Sequence, residues 1–271
     1  MSAPPDHSYR LMALIERLRF YKPVIGQVSG EETVEVVGVA VAASAEGGDR
    51  DLNDRGKVFS SIVLPESVSS SQERFFPKRA AVLICLFEDG NGDLRVLLTK
   101  RSSNLSTHSG EVSLPGGKAE SGDADDRETA TREAKEEIGL DPSLVTVVAV
   151  LEPFLSKHLL QVVPVIGVLI NKKAFIPSPN AAEVEAVFDA PLDMFLKDDN
   201  HRSEERQWMG ENYLLHYFTY ESNGKEFLIW GLTASILIHA ASVVYQQQPS
   251  FPERKPRFRY PTHIHGKLTM E

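Results

Sequence analysis

Leu114-Pro-Gly-Gly-Lys118 and Arg132-Glu-Ala-Lys-Glu-Glu-Ile-Gly139 are the two segments of this sequence that decide its fold. The first predicts a glycine turn and the second predicts a helix, with a polar loop between them. At about 100° per residue, the helix places Glu133, Glu136 and Glu137 within roughly 100° of one face. Three neighbouring carboxylates repel one another, but a hard divalent cation takes oxygen ligands and turns that repulsion into binding energy. The segments therefore predict a metal-binding helix beside a glycine turn.

Other residues of the same helix fit this prediction. Arg132 precedes Glu136 by one turn, so an ion pair can hold a ligand carboxylate in place. Ala130, Ala134 and Ile138 lie along the opposite side, where small side chains let the helix approach a sheet closely. A solvated helix face is the alternative for a glutamate-rich segment taken alone. The upstream glycine turn favours the metal site, because glycines let backbone groups approach a ligand.

Together, the two segments resemble the signature of the Nudix hydrolases. That signature runs Gly, five residues, Glu, seven residues, Arg-Glu, two residues, Glu-Glu, one residue and Gly. Counted from Gly117, Asp123 stands in place of the first Glu, and eight residues separate it from Arg132. The resemblance implies an α+β fold, namely an α/β/α sandwich around a mixed β-sheet.

The resemblance also implies roles for the site residues. Mg²⁺ or Mn²⁺ would be held by Glu133, Glu136, Glu137 and the carbonyl group of Gly117. Glu136, Glu133 and Arg132 would form the catalytic group, in which a carboxylate orients or deprotonates the attacking water and Arg132 supports the carboxylates. The implied reaction is the metal-dependent hydrolysis of a diphosphate linked to another moiety.

A second motif, upstream of the glycine turn, indicates which diphosphate is the substrate. Leu97-Leu-Thr-Lys-Arg-Ser102, Gly110 and Leu114-Pro-Gly-Gly117 resemble the element found in coenzyme A diphosphatases of this family, including plant members. Ser106 stands where that pattern has Arg, and Leu114 where it has Phe. The resemblance covers about 75–260. It implies cleavage of coenzyme A and short acyl-CoA to (acyl-)phosphopantetheine and adenosine 3′,5′-bisphosphate. The substrate-binding residues that it implies are Arg101, Ser102, Gly116 and Gly117.

Two alternatives stay open at this point. Because Ser106 replaces an Arg in a phosphate-binding motif, the substrate could be ADP-ribose, NADH, guanosine tetraphosphate or an isoprenyl diphosphate. The second alternative is a Nudix fold that senses a metabolite without cleaving it. Such domains tend to lose the helix glutamates, and all three are present here.

The amino-acid composition limits the classes of molecule that this protein is expected to bind. A net charge of −9 and a pI near 5.5 argue against non-specific binding of nucleic acid, so a small diphosphate is the expected partner. The single Cys85 excludes an internal disulfide. The sequence contains no apolar run long enough for a membrane-spanning helix, and its N-terminus lacks the features of a secretory signal. We expect a cytoplasmic protein with no membrane partner; a mitochondrial location is the alternative, and a homodimer is left open.

The chain divides into three predicted parts. Residues 1–74 hold an N-terminal helix (Tyr9–Tyr21) and a long flexible loop with one apolar patch, residues 75–248 form the Nudix hydrolase domain, and residues 249–271 form a tail that is disordered or draped over the surface. Strands are expected at residues 80–87, 94–99, 145–151, 160–170 and 180–188, with a hairpin at 213–230 and a buried helix at 232–245. Residues 198–206 are expected to form a charged loop. Lys157 and His158 are weaker candidates for substrate contact. Glu183 and Glu185 could supply a further metal ligand or base, but solvated edge charges are the commoner case. His108 could act as a general base, but a histidine in a surface loop is the commoner case, so it is left out of the site.

Overall fold

The computed structural model describes residues 6–23, 35–37, 78–105, 107–156, 160–208, 210–255 and 257–259. Its helices are α1 (Asp6–Arg19), α2 (Asp126–Ile138) and α3 (Gly231–Tyr245). Its first strands are β1 (Glu35–Val37), β2 (Arg79–Glu88), β3 (Leu94–Arg101), β4 (Val112–Ser113), β5 (Gly116–Lys118), β6 (Val145–Val150) and β7 (Phe154–Leu155). The remaining strands are β8 (Gln161–Leu169), β9 (Val184–Pro191), β10 (His201–Trp208), β11 (Glu211–Ser222), β12 (Lys225–Trp230) and β13 (Arg257–Arg259).

The central sheet is mixed and has eight strands. Its main order is β4-β3-β2-β8-β6, while β5 pairs with β2, β7 with β8 and β9 with β3. β2 and β8 run parallel, and the other pairs are antiparallel. Because both faces of these two strands are covered, β2 and β8 are almost continuously apolar in sequence. The strands expected at residues 80–87, 94–99, 145–151 and 160–170 are thereby confirmed.

Helices cover both faces of this sheet, which confirms the α+β prediction and its α/β/α layering. α2 packs on one face through Ala130, Ala134 and Ile138, all fully buried with the side chains of β2 that face it. α1 and α3 pack on the opposite face, where the buried side of α1 shares one core with Ile84 and Leu86. The helix expected at residues 232–245 is confirmed as α3.

A second sheet of three antiparallel strands, β10-β11-β12, holds the hairpin expected around residue 223. The prediction of a charged loop at residues 198–206 was wrong, because His201–Trp208 forms β10. One face of β10 is charged and exposed, with Arg202 and Arg206 both paired to Glu204. Charges of this kind are common on edge strands, where they discourage pairing with other chains. Because β10 lacks alternating apolar residues, its sequence pattern does not predict a strand.

The terminal parts of the chain are tied to the domain where the structure describes them. Phe251 is 6% exposed and stacks on His201 with ring centroids 3.7 Å apart. The N–H group of Leu214 donates to the carbonyl oxygen of Arg254 at 3.0 Å, and β1 pairs with β13. The described start of the tail is therefore packed on the domain, which agrees with a tail draped over the surface rather than a disordered one. Most of the predicted loop at 26–73 lies outside the described residues, and the three-part division stays a prediction.

Candidate active site

The glycine turn is held against β2 by steric demands that only glycine meets. Gly116 has φ +154° and lies opposite Val82 in the β2–β5 pair. A Cβ atom at Gly116 would collide with the carbonyl oxygen of Ala81 and lie 2.6 Å from the Cα atom of Val82. A Cβ atom at Gly117 would lie 2.5 Å from the carboxyl carbon of Glu133. The turn thus brings backbone and helix carboxylates into one place.

Helix α2 has defined ends, which set the angular positions of its glutamates. The side chain of Asp125 accepts from the N–H groups of Arg127 (2.9 Å) and Glu128 (3.0 Å), as an N-cap residue does. Gly139 ends the helix in the left-handed region, with φ +71°. With its small face on the sheet, α2 turns Glu133 and Glu137 towards the glycine turn.

Glu137 is the buried member of the predicted acidic group, with 4% of its surface exposed. It accepts from the N–H group of Gly116 at 3.1 Å, and its Oε1 lies 4.0 Å from Nη1 of Arg101. Burial raises the pKa of Glu137 to about 7, the charges of Glu133 and Glu183 add to the rise, and the contacts with Gly116 and Arg101 oppose it. Burial also raises the pKa of Glu133. The cluster is therefore short of positive charge.

Arg132 connects the other acidic residues. Its guanidinium group donates to both carboxylate oxygens of Asp123 (2.9 and 3.0 Å), to Glu133 (3.1 Å) and to Glu136 (3.3 Å). The hydrogen bonds from Arg132 hold the pKa of Asp123 far below its usual range. The ion pair expected between Arg132 and Glu136 is present, although 61% of the Glu136 side chain is exposed. Asp123 thus orients Arg132, and an Asp can do this although the Nudix signature has Glu at that position.

Asp123→Asn should lower turnover by about 10- to 100-fold, because residues that orient ligand side chains have effects of this size. The substitution leaves Arg132 without its bidentate carboxylate, so that Glu133 and Glu136 lose a fixed partner. Steady-state kinetics at saturating metal would measure the loss. Asp126→Asn is a matched control, since that carboxylate lies in the same region but pairs with Arg79. Equal activity of the two variants would contradict a positioning role for Asp123.

The upstream motif contributes one cation to the site. Arg101 lies at the end of β3 near Glu137, and its Nε atom is buried with no hydrogen-bond partner in the part of the chain that is described. Ser102 is buried, and its hydroxyl group accepts from the N–H group of Asn104 at 3.3 Å. Lys100 pairs with Glu185 at 2.7 Å. Of these, Arg101 alone adjoins both the acidic cluster and the cavity described next; Ser106 lies outside the described residues.

A cavity of about 370 Å³ lies beside the glycine turn, with Arg101, Gly116 and Gly117 at its polar side. Its other walls are mainly apolar and include Val82, Leu114, Val162, Trp230, Leu232 and Ile236. A larger cavity of about 590 Å³ lies at α1 and contains none of the predicted site residues. The smaller cavity is therefore the candidate substrate site, since it alone of the two meets the predicted residues.

The donor chemistry of the acidic cluster fits a hard divalent cation. Glu133 and Glu137 adjoin the glycine turn, and the charges of Glu136 and Glu183 act on Glu133. All four side chains offer oxygen ligands, which a hard divalent cation prefers. Within the described ranges, no three His, Cys, Asp or Glu side chains are already gathered as a metal cluster. Arg132 pairs with Glu133 at 3.1 Å and with Glu136 at 3.3 Å. Burial and the neighbouring carboxylates raise the pKa of Glu137, and a bound cation would favour its charged form.

A model of the NUDIX domain matches residues 77–228, more than half of the chain. The chain belongs to the Nudix hydrolase family. Nudix hydrolase 15, mitochondrial, from Arabidopsis thaliana is 67% identical over 214 residues (78% of this chain, 75% of the relative). Nudix hydrolase 22, chloroplastic, from the same plant is 58% identical over 253 residues (93% and 79%). Peroxisomal coenzyme A diphosphatase NUDT7 from Mus musculus is 38% identical over 173 residues (63% and 72%).

These matches confirm the family and the enzyme class that the sequence motifs predict. Nudix hydrolases act on small-molecule diphosphates and generally need divalent metal ions. None of the helices in the described ranges is long and apolar enough to cross a membrane.

Two acidic residues contribute more to the site than their sequence context indicates. Asp123 departs from the signature, yet it is the strongest partner of Arg132. Glu183 has the sequence context of an edge charge, but its charge acts on both Glu133 and Glu137, and its carbonyl oxygen accepts from the N–H group of Ser102. A long-range contact of this kind leaves no periodic signal. Lys157 and His158, two weaker candidates, lie outside the described residues.

The metal-free Nudix hydrolase should be stabilised by Glu137→Gln at pH 8. The pKa of Glu137 rises from 4.5 to about 7 in the folded chain, so its ionisation costs stability as pH rises from about 4.5 to 7. The penalty is on the order of 2–3 kcal/mol, or about 8 °C in Tm for a domain of this size. Thermal melts in chelator should show the variant melting higher at pH 8 and close to the wild type at pH 5. A wild type that is more stable at pH 8 would contradict the buried repulsion.

Proposed function

We propose that this Nudix hydrolase cleaves coenzyme A and short acyl-CoA. The observation that carries the proposal is the cavity, where Arg101 and the glycine turn adjoin a mainly apolar wall. A diphosphate that carries a long, weakly polar arm suits such a site, because its charged part meets Arg101 while the arm lies on apolar side chains. The name of the mouse relative, a coenzyme A diphosphatase, supports the same substrate.

The proposed metal is Mg²⁺ or Mn²⁺, held by Glu133, Glu136, Glu137 and the Gly117 carbonyl group. When bound, it would offset the charge of the two phosphates and make an attacking water more acidic. Glu183 adds a further acidic group close to these ligands. In the proposed site, Gly116 donates its N–H group to Glu137 and keeps that carboxylate in place.

The proposed catalytic group is Glu136, Glu133 and Arg132. Glu133 or Glu136 orients the water and accepts its proton, and Arg132 holds both carboxylates. The water oxygen bonds to one phosphorus, the bridging P–O bond breaks, and its electron pair leaves with the other phosphate. Arg101 binds the phosphates through charge. Gly116 and Gly117 shape the binding site, and Ser102, which is buried, supports the turn that carries Arg101.

The decisive assay offers the purified protein Mg²⁺ and an equimolar mixture of coenzyme A, acetyl-CoA, ADP-ribose, NADH and guanosine tetraphosphate. Mass spectrometry of the products should show adenosine 3′,5′-bisphosphate first. Consumption of another diphosphate, which the replacement of Arg by Ser106 would explain, would keep the hydrolase and overturn the substrate. No cleavage with either Mg²⁺ or Mn²⁺ would favour a metabolite sensor.

We further propose a cytoplasmic location, with a mitochondrial one as the alternative. The names of the three relatives refer to three different organelles, so they leave this choice open. Fluorescence microscopy of the full chain with a C-terminal tag would decide between the two locations. A homodimer is a separate proposal, for which the molar mass from light scattering is the test.

A further inference from the structure

His108 is a residue of the substrate cavity to which the proposed reaction gives no role. It lies on the loop between β3 and β4 and lines the cavity together with Arg101 and Gly116. Its backbone has φ +55°, a left-handed conformation that few residues other than glycine adopt, with Asn, Asp and His the most frequent of them. Backbone strain of this sort is concentrated at ligand sites, where the surrounding structure maintains it. The loop thus uses an unfavourable conformation at the residue that brings an imidazole to the cavity.

Glu111 sets the state of this imidazole. Nδ1 of His108 lies 2.9 Å from Oε2 of Glu111, and the carboxylate can only accept, so Nδ1 carries the hydrogen. The hydrogen bond to Glu111 raises the pKa of His108, whereas burial and the charge of Arg101 oppose the rise. The other oxygen of Glu111 is buried without a hydrogen-bond partner in the described structure. The pair is therefore a partly buried carboxylate that favours the protonated form of the ring.

The position of the pair relates it to the diphosphate. Arg101 lies 4.0 Å from Glu137 and lines the same cavity as His108 and Glu111, so it adjoins both the acidic cluster and the His108–Glu111 pair. A diphosphate that reaches from the metal ligands past Arg101 would bring its second phosphate towards His108. The sequence has Ser106 two residues earlier and no other Lys, Arg or His between Arg101 and His108. His108 is thus the second cation that this loop offers.

We propose that His108, held by Glu111, binds the phosphate that departs when the diphosphate is cleaved. The inference rests on the proposed hydrolysis of a diphosphate, but not on coenzyme A as the substrate. As the bridging P–O bond breaks, its electron pair stays on the departing phosphate, and the protonated imidazole donates a hydrogen bond to that phosphate. No net proton transfer from His108 is needed. The water's proton goes to the acidic cluster as before.

Binding of methylenediphosphonate, a diphosphate analogue that cannot be hydrolysed, tests this role without a choice of nucleotide. Isothermal titration with Mg²⁺ would compare the wild type with His108→Asn, since Asn tolerates the left-handed backbone and should keep the loop folded. Ser109→Ala is the matched control, because that hydroxyl donates to the carbonyl oxygen of Ser103 within the same loop. Glu111 and Arg101, two charged groups of the described chain that act on His108, stay unchanged in these variants.

At pH 6, His108→Asn should bind the analogue about tenfold more weakly than the wild type, as expected for a lost hydrogen bond from a charged donor. As pH rises towards 9 the imidazole loses its proton, so the two proteins should bind increasingly alike, and Ser109→Ala should follow the wild type throughout. Equal binding at pH 6 would overturn the proposal. So would a deficit of the same size at both pH values, because that result would indicate a structural role.

A second measurement separates contact from folding. Imidazole added to His108→Gly should restore much of the lost turnover with whichever substrate the product assay identifies, because the free ring can occupy the vacated space. Glu111→Gln should shift the loss of analogue binding to lower pH, since it removes the group that raises the pKa of His108. Absence of any imidazole effect in a folded His108→Gly protein would count against direct contact. Failure of coenzyme A as a substrate would leave all of these comparisons valid.

Discussion

Glu137→Gln should lower turnover by about 10³-fold while the chain stays folded. Glu137 is the one glutamate of α2 that is buried, and it lies against the backbone N–H group of Gly116. Gln keeps the shape and can still accept that hydrogen bond, but it cannot supply the negative charge that a divalent cation requires. The variant therefore removes one ligand charge and little else. Steady-state rates across a range of Mg²⁺ concentrations would measure the effect.

A loss of activity in Glu137→Gln can be distinguished from a loss of folding. Because the metal-free variant is expected to melt higher than the wild type at pH 8, a loss of activity cannot be attributed to unfolding. Glu185→Gln serves as the control, since that carboxylate pairs with Lys100 on the neighbouring strand. Full activity of Glu137→Gln would end the assignment of the site. An inactive variant that is also unfolded would give it no support.

Gly116→Ala should both destabilise the protein and inactivate it. A Cβ atom would collide with the backbone of β2 at Ala81 and Val82, and backbone atoms cannot move aside as a flexible side-chain end could. Overpacking and the φ of +154° together cost about 3 kcal/mol, which corresponds to a fall of about 10 °C in Tm. Separation of β5 from β2 would also withdraw the Gly116 N–H group from Glu137, so turnover should fall by roughly 100-fold or more.

Gly122→Ala is the control for this effect. Gly122 belongs to the turn before α2, and within the described chain no neighbouring heavy atom lies within 4 Å of the position that its Cβ atom would take. Alanine should therefore be tolerated there. Thermal melts and rates of the two variants would be compared at one pH and one metal concentration. A Gly116→Ala protein with wild-type stability would contradict the close packing of the glycine turn on β2.

The parts of this fold that were predictable are those with local signals. Ala130, Ala134 and Ile138 recur at helical spacing, and they bury the face of α2 as expected. The apolar runs of β2 and β8 were visible because both faces of these strands are covered. By contrast, β10 carries alternating charges that satisfy one another on an exposed face, so its sequence resembles a loop.

The site was predictable where it is contiguous in sequence and obscure where it is assembled by the fold. Glu133 and Glu137 lie one turn apart, so their shared face follows from helix geometry alone. Glu183 reaches the same cluster from the start of β9, a contact that depends on the pairing of β9 with β3. In sequence, His108 has the context of a surface loop residue, because its left-handed backbone and its bond to Glu111 exist only in three dimensions.

The central claim is that the glycine turn and the carboxylates of α2 form a divalent cation site. Electron paramagnetic resonance of Mn²⁺ at pH 8 tests it most directly, because the signal of free Mn²⁺ falls as the ion binds. Titration of the wild type should show a bound ion, Glu185→Gln should match it, and Glu137→Gln should weaken binding by at least about tenfold. Wild-type Mn²⁺ affinity in a folded Glu137→Gln protein would contradict the claim.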